Sequence, residues 1–155
     1  MSGRAYPDRP LVGIGVAVLR PDAVLLVRRG RAPALGQWSL PGGAQRLGET
    51  TEAAARRELV EETGLAVGAL HLAACVDSIH RDDAGRIEFH YTIVDFAAAW
   101  QAGEPTAGDD VTDARFFAFA AVDGLGLWSE AVRVIAVARR LLSSGAGGCG
   151  TAGPS

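Results

Sequence analysis

The stretch from Gly43 to Leu65, GAQRLGETTEAAARRELVEETGL, constrains this 155-residue chain more than any other. It opens on a Gly-rich turn, and from Thr50 to Thr63 it is built of Ala, Glu, Arg and Leu, which all favour helix. Thr50 or Thr51 can cap the start, and Gly64 is placed to end the helix in a left-handed conformation. Positions i, i+3 and i+4 share one helical face, so Glu58, Glu61 and Glu62 project together. Like charges at that spacing repel, and carboxylates are disfavoured at the negative, C-terminal end of the helix dipole. A bound divalent cation removes both conflicts, and oxygen ligands of this kind suit Mg²⁺ or Mn²⁺ beside substrate phosphates. A solvated acidic face is the alternative reading of the same three residues.

The rest of the chain reads as a frame for this element. Pro7 and Pro10 oppose regular structure, so residues 1–10 are expected to be a flexible entry segment. Val12 to Leu19 and Ala23 to Val27 are short apolar runs joined by Arg20-Pro21-Asp22, the pattern of two buried strands. Gln37 to Leu40 forms a short strand before the turn at Pro41-Gly42-Gly43. Leu70 to Ile79 and Ile87 to Ala97 read as a hairpin across the polar turn Arg81 to Gly85. Residues 101–112 form a loop and Arg115 to Phe119 another strand. A last helix begins at Leu127 or Ser129 and reaches Leu142, with Val132, Ile135, Ala136 and Arg139 along one side. Residues 143–155, rich in Gly and Ser, are expected to be disordered. Two helices with five or six strands predict an α/β protein, a mixed sheet packed between helices. Residues 11–142 then form one domain, a size that buries a proper core.

The stretch matches the signature G-x5-E-x7-R-E-U-x-E-E-x-G-U, with U a bulky aliphatic residue, at Gly43, Glu49, Arg57, Glu58, Leu59, Glu61, Glu62, Gly64 and Leu65. In this it resembles the Nudix hydrolases, and the likeness extends upstream to Trp38-Ser39-Leu40-Pro41-Gly42-Gly43. The resemblance implies the Nudix fold, an α/β/α sandwich, and metal-dependent hydrolysis of a phosphoanhydride in a nucleoside diphosphate linked to another moiety. It implies that Glu58 and Glu62 are metal ligands, that Glu61 is a third ligand or a partner of the first two, and that the Gly43 carbonyl approaches the same Mg²⁺ or Mn²⁺. Arg57 and Glu49 are implied to form an ion pair that orients Glu58. Late-loop carboxylates act in many relatives, and the candidates here are Glu104, Asp109 and Asp110, with the last two preferred because the Gly-rich approach lets that loop fold over the metals.

Arg28, Arg29 and Arg31 follow the second strand, where an arginine can clamp a phosphate; Arg28 is the first choice, with Arg29 beside it. Trp38 is a candidate to stack on a base, with core packing as the alternative. His80, Phe89, His90 and Tyr91 are possible pocket residues. Within the family the chain looks most like short bacterial ADP-ribose pyrophosphatases of the mutator type, on Trp38 to Gly43 and on His90-Tyr91-Thr92-Ile93-Val94-Asp95-Phe96. It departs from many ADP-ribose enzymes in carrying His80 and Arg81 where they have a proline. A house-cleaning nucleoside triphosphate pyrophosphatase is the second reading. A nucleotide-sensing regulator that does not hydrolyse is the third, and the intact box opposes it.

A net charge of −3 gives no general attraction to nucleic-acid polymers. Cys75 and Cys149 form neither a disulfide framework nor a zinc-spaced cluster, and Cys75, in an apolar run, is expected in the core. With neither a signal core nor a membrane-spanning run, the expectation is a cytoplasmic protein acting on a small nucleotide, with no membrane partner and a possible homodimer.

Overall fold

A computed structural model describes residues 3–32 and 34–144. Cys149 and the expected tail beyond Ser144 lie outside the described residues. The elements in order are β1 (Leu11–Leu19), β2 (Ala23–Arg29), β3 (Trp38–Ser39), β4 (Gly42–Ala44), α1 (Thr51–Thr63), β5 (His71–Arg81), β6 (Ile87–Ala99), β7 (Val111–Ala118) and α2 (Ser129–Ser144), with a 3-10 segment at Phe119–Leu125.

The strands form one mixed sheet in the order β3-β2-β1-β6-β5, with β7 on β2 and β4 on β1. β1 runs parallel to β6 along its whole length, from Leu11 opposite Tyr91 to Leu19 opposite Ala99. The other pairings are antiparallel, β5 with β6 being the expected hairpin. β1 and β2 pair at Leu19 and Val24, beside their connection, and then part. β3 takes the edge of β2 at Val27 and Arg28, and β4 takes the edge of β1 at Gly13 to Gly15. The sheet is therefore forked, and the Pro41-Gly42-Gly43 turn sits in the fork.

A strand buried on both faces reads as an unbroken apolar run rather than an alternation. In β1, Val16 and Val18 join Leu25, Ala54, Ala55 and Leu59 in the core under α1. Ala17 and Leu19 point the other way, into a second core with Val24, Leu26, Val134, Ile135 and Ala138 under α2. The result is the expected α/β/α sandwich. Among the described residues no helix is long and apolar enough to cross a membrane.

Several boundaries and faces differ from the sequence expectation. The last sheet strand begins at Val111, because its register is set by pairing Val111 with Arg29 across a bulge. On α2 the buried side is Val134, Ile135 and Ala138; Ala136 and Arg139 are exposed, and the Arg139 guanidinium lies 3.9 Å over the Phe119 ring. Cys75 is exposed rather than in the core. It pairs with Val94 on the sheet face that α1 covers, and the alternate positions Val76 and Ser78 take the buried side of β5. Within residues 1–10, Tyr6 lies against the hairpin: its N–H donates to the Glu88 carbonyl at 2.8 Å and its hydroxyl to Asp82 at 2.9 Å.

Candidate metal-dependent active site

Helix α1 is fixed at both ends by its own sequence. The Thr50 hydroxyl accepts the Ala53 N–H at 3.0 Å, and Gly64, at φ 72°, donates to the Val60 carbonyl at 2.9 Å. Ala54, Ala55 and Leu59 bury one side. This leaves Arg57, Glu58, Glu61 and Glu62 facing the turn that leads into β4.

Arg57 is the hub of this face. It holds Glu49 by a bidentate pair, Nε to Oε2 at 2.6 Å and a terminal nitrogen to Oε1 at 2.9 Å. The same guanidinium donates to Glu58 at 2.8 Å, to Glu61 at 3.2 Å and to the Ala44 carbonyl at 3.1 Å. Glu49 also accepts the Arg46 N–H at 2.8 Å, and these bonds hold its carboxyl down at about 2. Glu49 and Glu58 in turn hold the Arg57 guanidinium in its charged form. A planar fork satisfied on all sides fixes Glu58 in a way a lysine could not.

Gly43 sits against the Glu58 carboxylate so closely that a Cβ there would overlap it. Glu62 is 9% exposed and accepts the Gly42 N–H at 2.6 Å. Burial pushes its carboxyl up to about 7, the Gly42 bond opposes this, Glu58 and Asp110 push further up, and Arg29 pulls down. Glu58, Arg29 and Asp110 thus all lie within electrostatic reach of Glu62.

The loop before β7 is welded to the end of α1. The Thr106 N–H donates to the Thr63 carbonyl at 2.9 Å and the Gly108 N–H to the Glu62 carbonyl at 3.1 Å. These satisfy carbonyls that a helix end leaves open. Gly108 lies so close to the Glu61 carbonyl that a Cβ would overlap it, and Asp109 adopts a left-handed φ of 45°. Asp110 is then held by its backbone, its carbonyl accepting the Gly30 N–H at 2.8 Å, and its carboxylate pairs with Arg31 at 2.7 Å.

The predicted residues therefore divide. Arg57, Glu58, Glu61, Glu62, Gly43, Arg29 and the Asp109–Asp110 turn come together. Glu104 is drawn elsewhere, to Arg20 at 2.7 Å, whose guanidinium lies 4.4 Å from the Trp100 ring and 3.9 Å from the Phe116 ring. Arg28 points to the α2 side of β2 and donates to the Gly36 carbonyl at 3.1 Å. Trp38, its register partner, packs edge-on against Phe117 at 4.8 Å in the core under α2. Sequence reasoning missed Arg46, 3.7 Å from Glu61, and the two capping amides of residues 106 and 108. Only Gly108 left a signal, as a glycine directly before two aspartates.

Among the described residues no three His, Cys, Asp or Glu side chains converge as a metal cluster, and Glu61 is turned toward Arg57 and Arg46. What converges is a buried Glu62, a clamped Glu58 and the bare backbone of Gly43. Such hard oxygen donors, with two carboxylates held in a crowded, mostly dry place, fit a divalent cation whose remaining positions go to water and phosphate. The sequence matches the NUDIX domain over residues 9–137. The chain belongs to the Nudix family.

Its relatives differ in what they act on. An ADP-ribose pyrophosphatase of Methanocaldococcus jannaschii is 36% identical over 70% of this chain and 62% of its own length. An oxidized purine nucleoside triphosphate hydrolase of Danio rerio is 38% identical over 62% of this chain and 59% of its own. The chain thus spans about three fifths of the length of either curated Nudix relative. Among solved structures, the NUDIX domain of Shewanella oneidensis NrtR, complexed with ADP ribose, superposes with a TM-score of 0.73 at 25% identity, covering 87% of this chain and 90% of that one.

Proposed function

We propose that this protein hydrolyses the phosphoanhydride of a nucleoside diphosphate linked to another moiety, with ADP-ribose as the leading substrate. The observation that carries the reading is the Glu58–Glu62 pair, buried against Gly42 and Gly43 and braced by Arg57. The names of the archaeal relative and of the ADP-ribose complex support the substrate. The zebrafish relative favours the second reading, an oxidised purine nucleoside triphosphate.

Glu58 and Glu62, with the Gly43 carbonyl, would hold Mg²⁺ or Mn²⁺. When bound, the cation supplies positive charge to the pyrophosphate oxygens and makes water more acidic. The protein's own part is positional. Arg57 keeps the Glu58 carboxylate from rotating, and Gly42 holds one oxygen of Glu62. Arg29, on the same face, adds a cation for the phosphates; Arg28 is assigned to loop structure instead. Asp110 is the late-loop carboxylate best placed to accept the proton of the attacking water, and Asp109 shapes its turn. Water adds to one phosphorus, the bridging P–O bond breaks, and ADP-ribose yields AMP and ribose 5-phosphate.

The test is release of AMP from ADP-ribose with Mg²⁺ or Mn²⁺, compared between the parent and Glu62→Gln. Loss of activity in the variant with an unchanged circular dichroism spectrum is the expected result. A variant as fast as the parent on ADP-ribose and on nucleoside triphosphates overturns the ligand assignment. Pyrophosphate release from a triphosphate, with ADP-ribose untouched, selects the second reading.

A further inference from the structure

One buried carboxylate has no part in the chemistry above. Asp95 stands midway along β6, in the apolar run Ile93-Val94-Asp95-Phe96, and is 5% exposed. Val94 and Phe96 belong to the α1 side of the sheet, and Ile93 and Ala97 to the α2 side. Strand alternation puts Asp95 on the α2 side, away from the glutamates. Burial is the main influence on it, and the charge that acts on it is Arg133 of α2, whose own ion pair is with Glu130 at 2.7 Å. No described residue donates a hydrogen bond to its carboxylate. Among the described side chains, Arg20 Nε is the enclosed polar atom that lacks a partner. The Asp95 oxygens therefore retain contact with solvent although the residue is buried.

The direction of the side chain is fixed by the glycine opposite it. Asp95 pairs with Gly15 of β1, and its Oδ1 fills the space that a Cβ on Gly15 would occupy. It thus leans across β1 toward the Pro41 carbonyl and the fork between β1 and β2. Gly15 pairs on its other side with Gly42, whose N–H holds Glu62. A single rung, Gly42–Gly15–Asp95, carries the anchor of the metal-side glutamate on one face of the sheet and an unpartnered carboxylate on the other. Leu40 and Trp38, which lead into that rung, are half-buried in the same α2-side core. Leaving a buried carboxylate without donors is costly, and ligand sites place a few convergent polar groups on apolar walls for that reason.

We propose that Asp95 reads the base of the substrate, accepting a hydrogen bond from the exocyclic amino group of a purine that lies on the α2 side of the fork while its phosphates reach the glutamates. An ionised carboxylate can only accept, so the matching base must present N–H. Adenine offers its 6-amino group, and guanine offers its 2-amino group with the adjacent ring N–H. This rests on the nucleotide reading above, and it adds the specificity that the signature cannot encode.

The experiment measures binding of AMP, GMP and IMP calorimetrically in EDTA, for the parent, Asp95→Asn and Asp95→Ala, with ribose 5-phosphate as the base-free probe and thermal unfolding as the check on folding. IMP lacks the exocyclic amino group of both other nucleotides. The parent is expected to bind AMP or GMP about ten- to a hundred-fold more tightly than IMP, the range for a hydrogen bond to a charged group. Asp95→Ala should erase that ratio, and Asp95→Asn, which can also donate, should move it toward IMP. Affinity for ribose 5-phosphate should stay the same in all three proteins. An effect on AMP identifies adenine, and one on GMP identifies guanine. A parent that binds none of the three, or a ratio unchanged in the folded Asn variant, overturns the proposal. Hydrolysis by Glu62→Gln is scored separately, so an amino preference lost with Asp95 can stand even if the hydrolase reading falls, and the reverse.

Discussion

Asp95 makes a quantitative prediction about stability as well as specificity. Burial raises its carboxyl from the ordinary 3.8 to about 6 in the folded chain. At 1.36 kcal/mol per pH unit, ionising it in the fold rather than in the unfolded chain costs about 3 kcal/mol. The sign follows from proton binding. Below about pH 3 the group is protonated in both states and costs nothing through this route. Between pH 4 and pH 6 the folded protein holds the proton and the unfolded chain releases it, so stability falls as pH rises. Above pH 7 the full penalty applies. Asp95→Asn has no such titration, and any offset from its buried amide is independent of pH. The variant-minus-parent difference in unfolding free energy should therefore rise by about 3 kcal/mol between pH 3 and pH 7, equivalent to roughly 6–12 °C in melting temperature for a chain of this size. Urea denaturation of both proteins at five pH values measures the difference curve. A curve flat to within about 0.5 kcal/mol, or one that falls with pH, refutes the claim that Asp95 is buried without a hydrogen-bond donor.

Gly43→Ala puts a methyl group into the Glu58 carboxylate, and should weaken Mn²⁺ binding, measured by calorimetry, with the fold retained by circular dichroism. Glu49→Gln removes the bidentate support of Arg57; a drop of about ten- to a hundred-fold in kcat/KM is expected, with KM for substrate little changed, as for partners that orient a ligand. Gly108→Ala should lower the melting temperature and kcat together, because its methyl group meets the Glu61 carbonyl and lifts the loop from the helix end. Equal kcat in that variant and the parent would count against Asp110 as the proton acceptor.

The glutamate helix was legible because its information is local. Capping residues, helix formers and the spacing of Glu58, Glu61 and Glu62 all lie within one stretch, and the observed span Thr51–Thr63 agrees with it. The ion pair of Arg57 with Glu49 followed from the family signature rather than from spacing. What failed was set by partners distant in sequence. The choice of Arg28 before Arg29 had no guide to sides, because Ala23 to Val27 is buried on both faces and hides the alternation, and Arg28 in fact turns to the Gly36 carbonyl. The start of β7 depends on its register with β2, and the exposure of Cys75 on how far α1 reaches across the sheet. Glu104 stood behind Asp109 and Asp110 on the Gly-rich approach alone, and its pairing with Arg20 is a long-range contact that local sequence does not carry. Asp95 did leave a trace, the one charge in the run from Ile93 to Ala99.

The bonds from Thr106 and Gly108 to the last carbonyls of α1 bear on how this scaffold can be altered. Most surface loops accept inserted residues because their backbone answers to nothing but solvent. Residues 106–110 lack that freedom, since lengthening them would strip the helix end of its caps and shift Asp110 at the same stroke. Grafted peptides and new recognition loops belong instead at the hairpin tip, residues 83–85. That site can lengthen without altering the helix that carries the glutamates, whereas the connection from β2 to β3 holds Asp110 through Gly30 and Arg31.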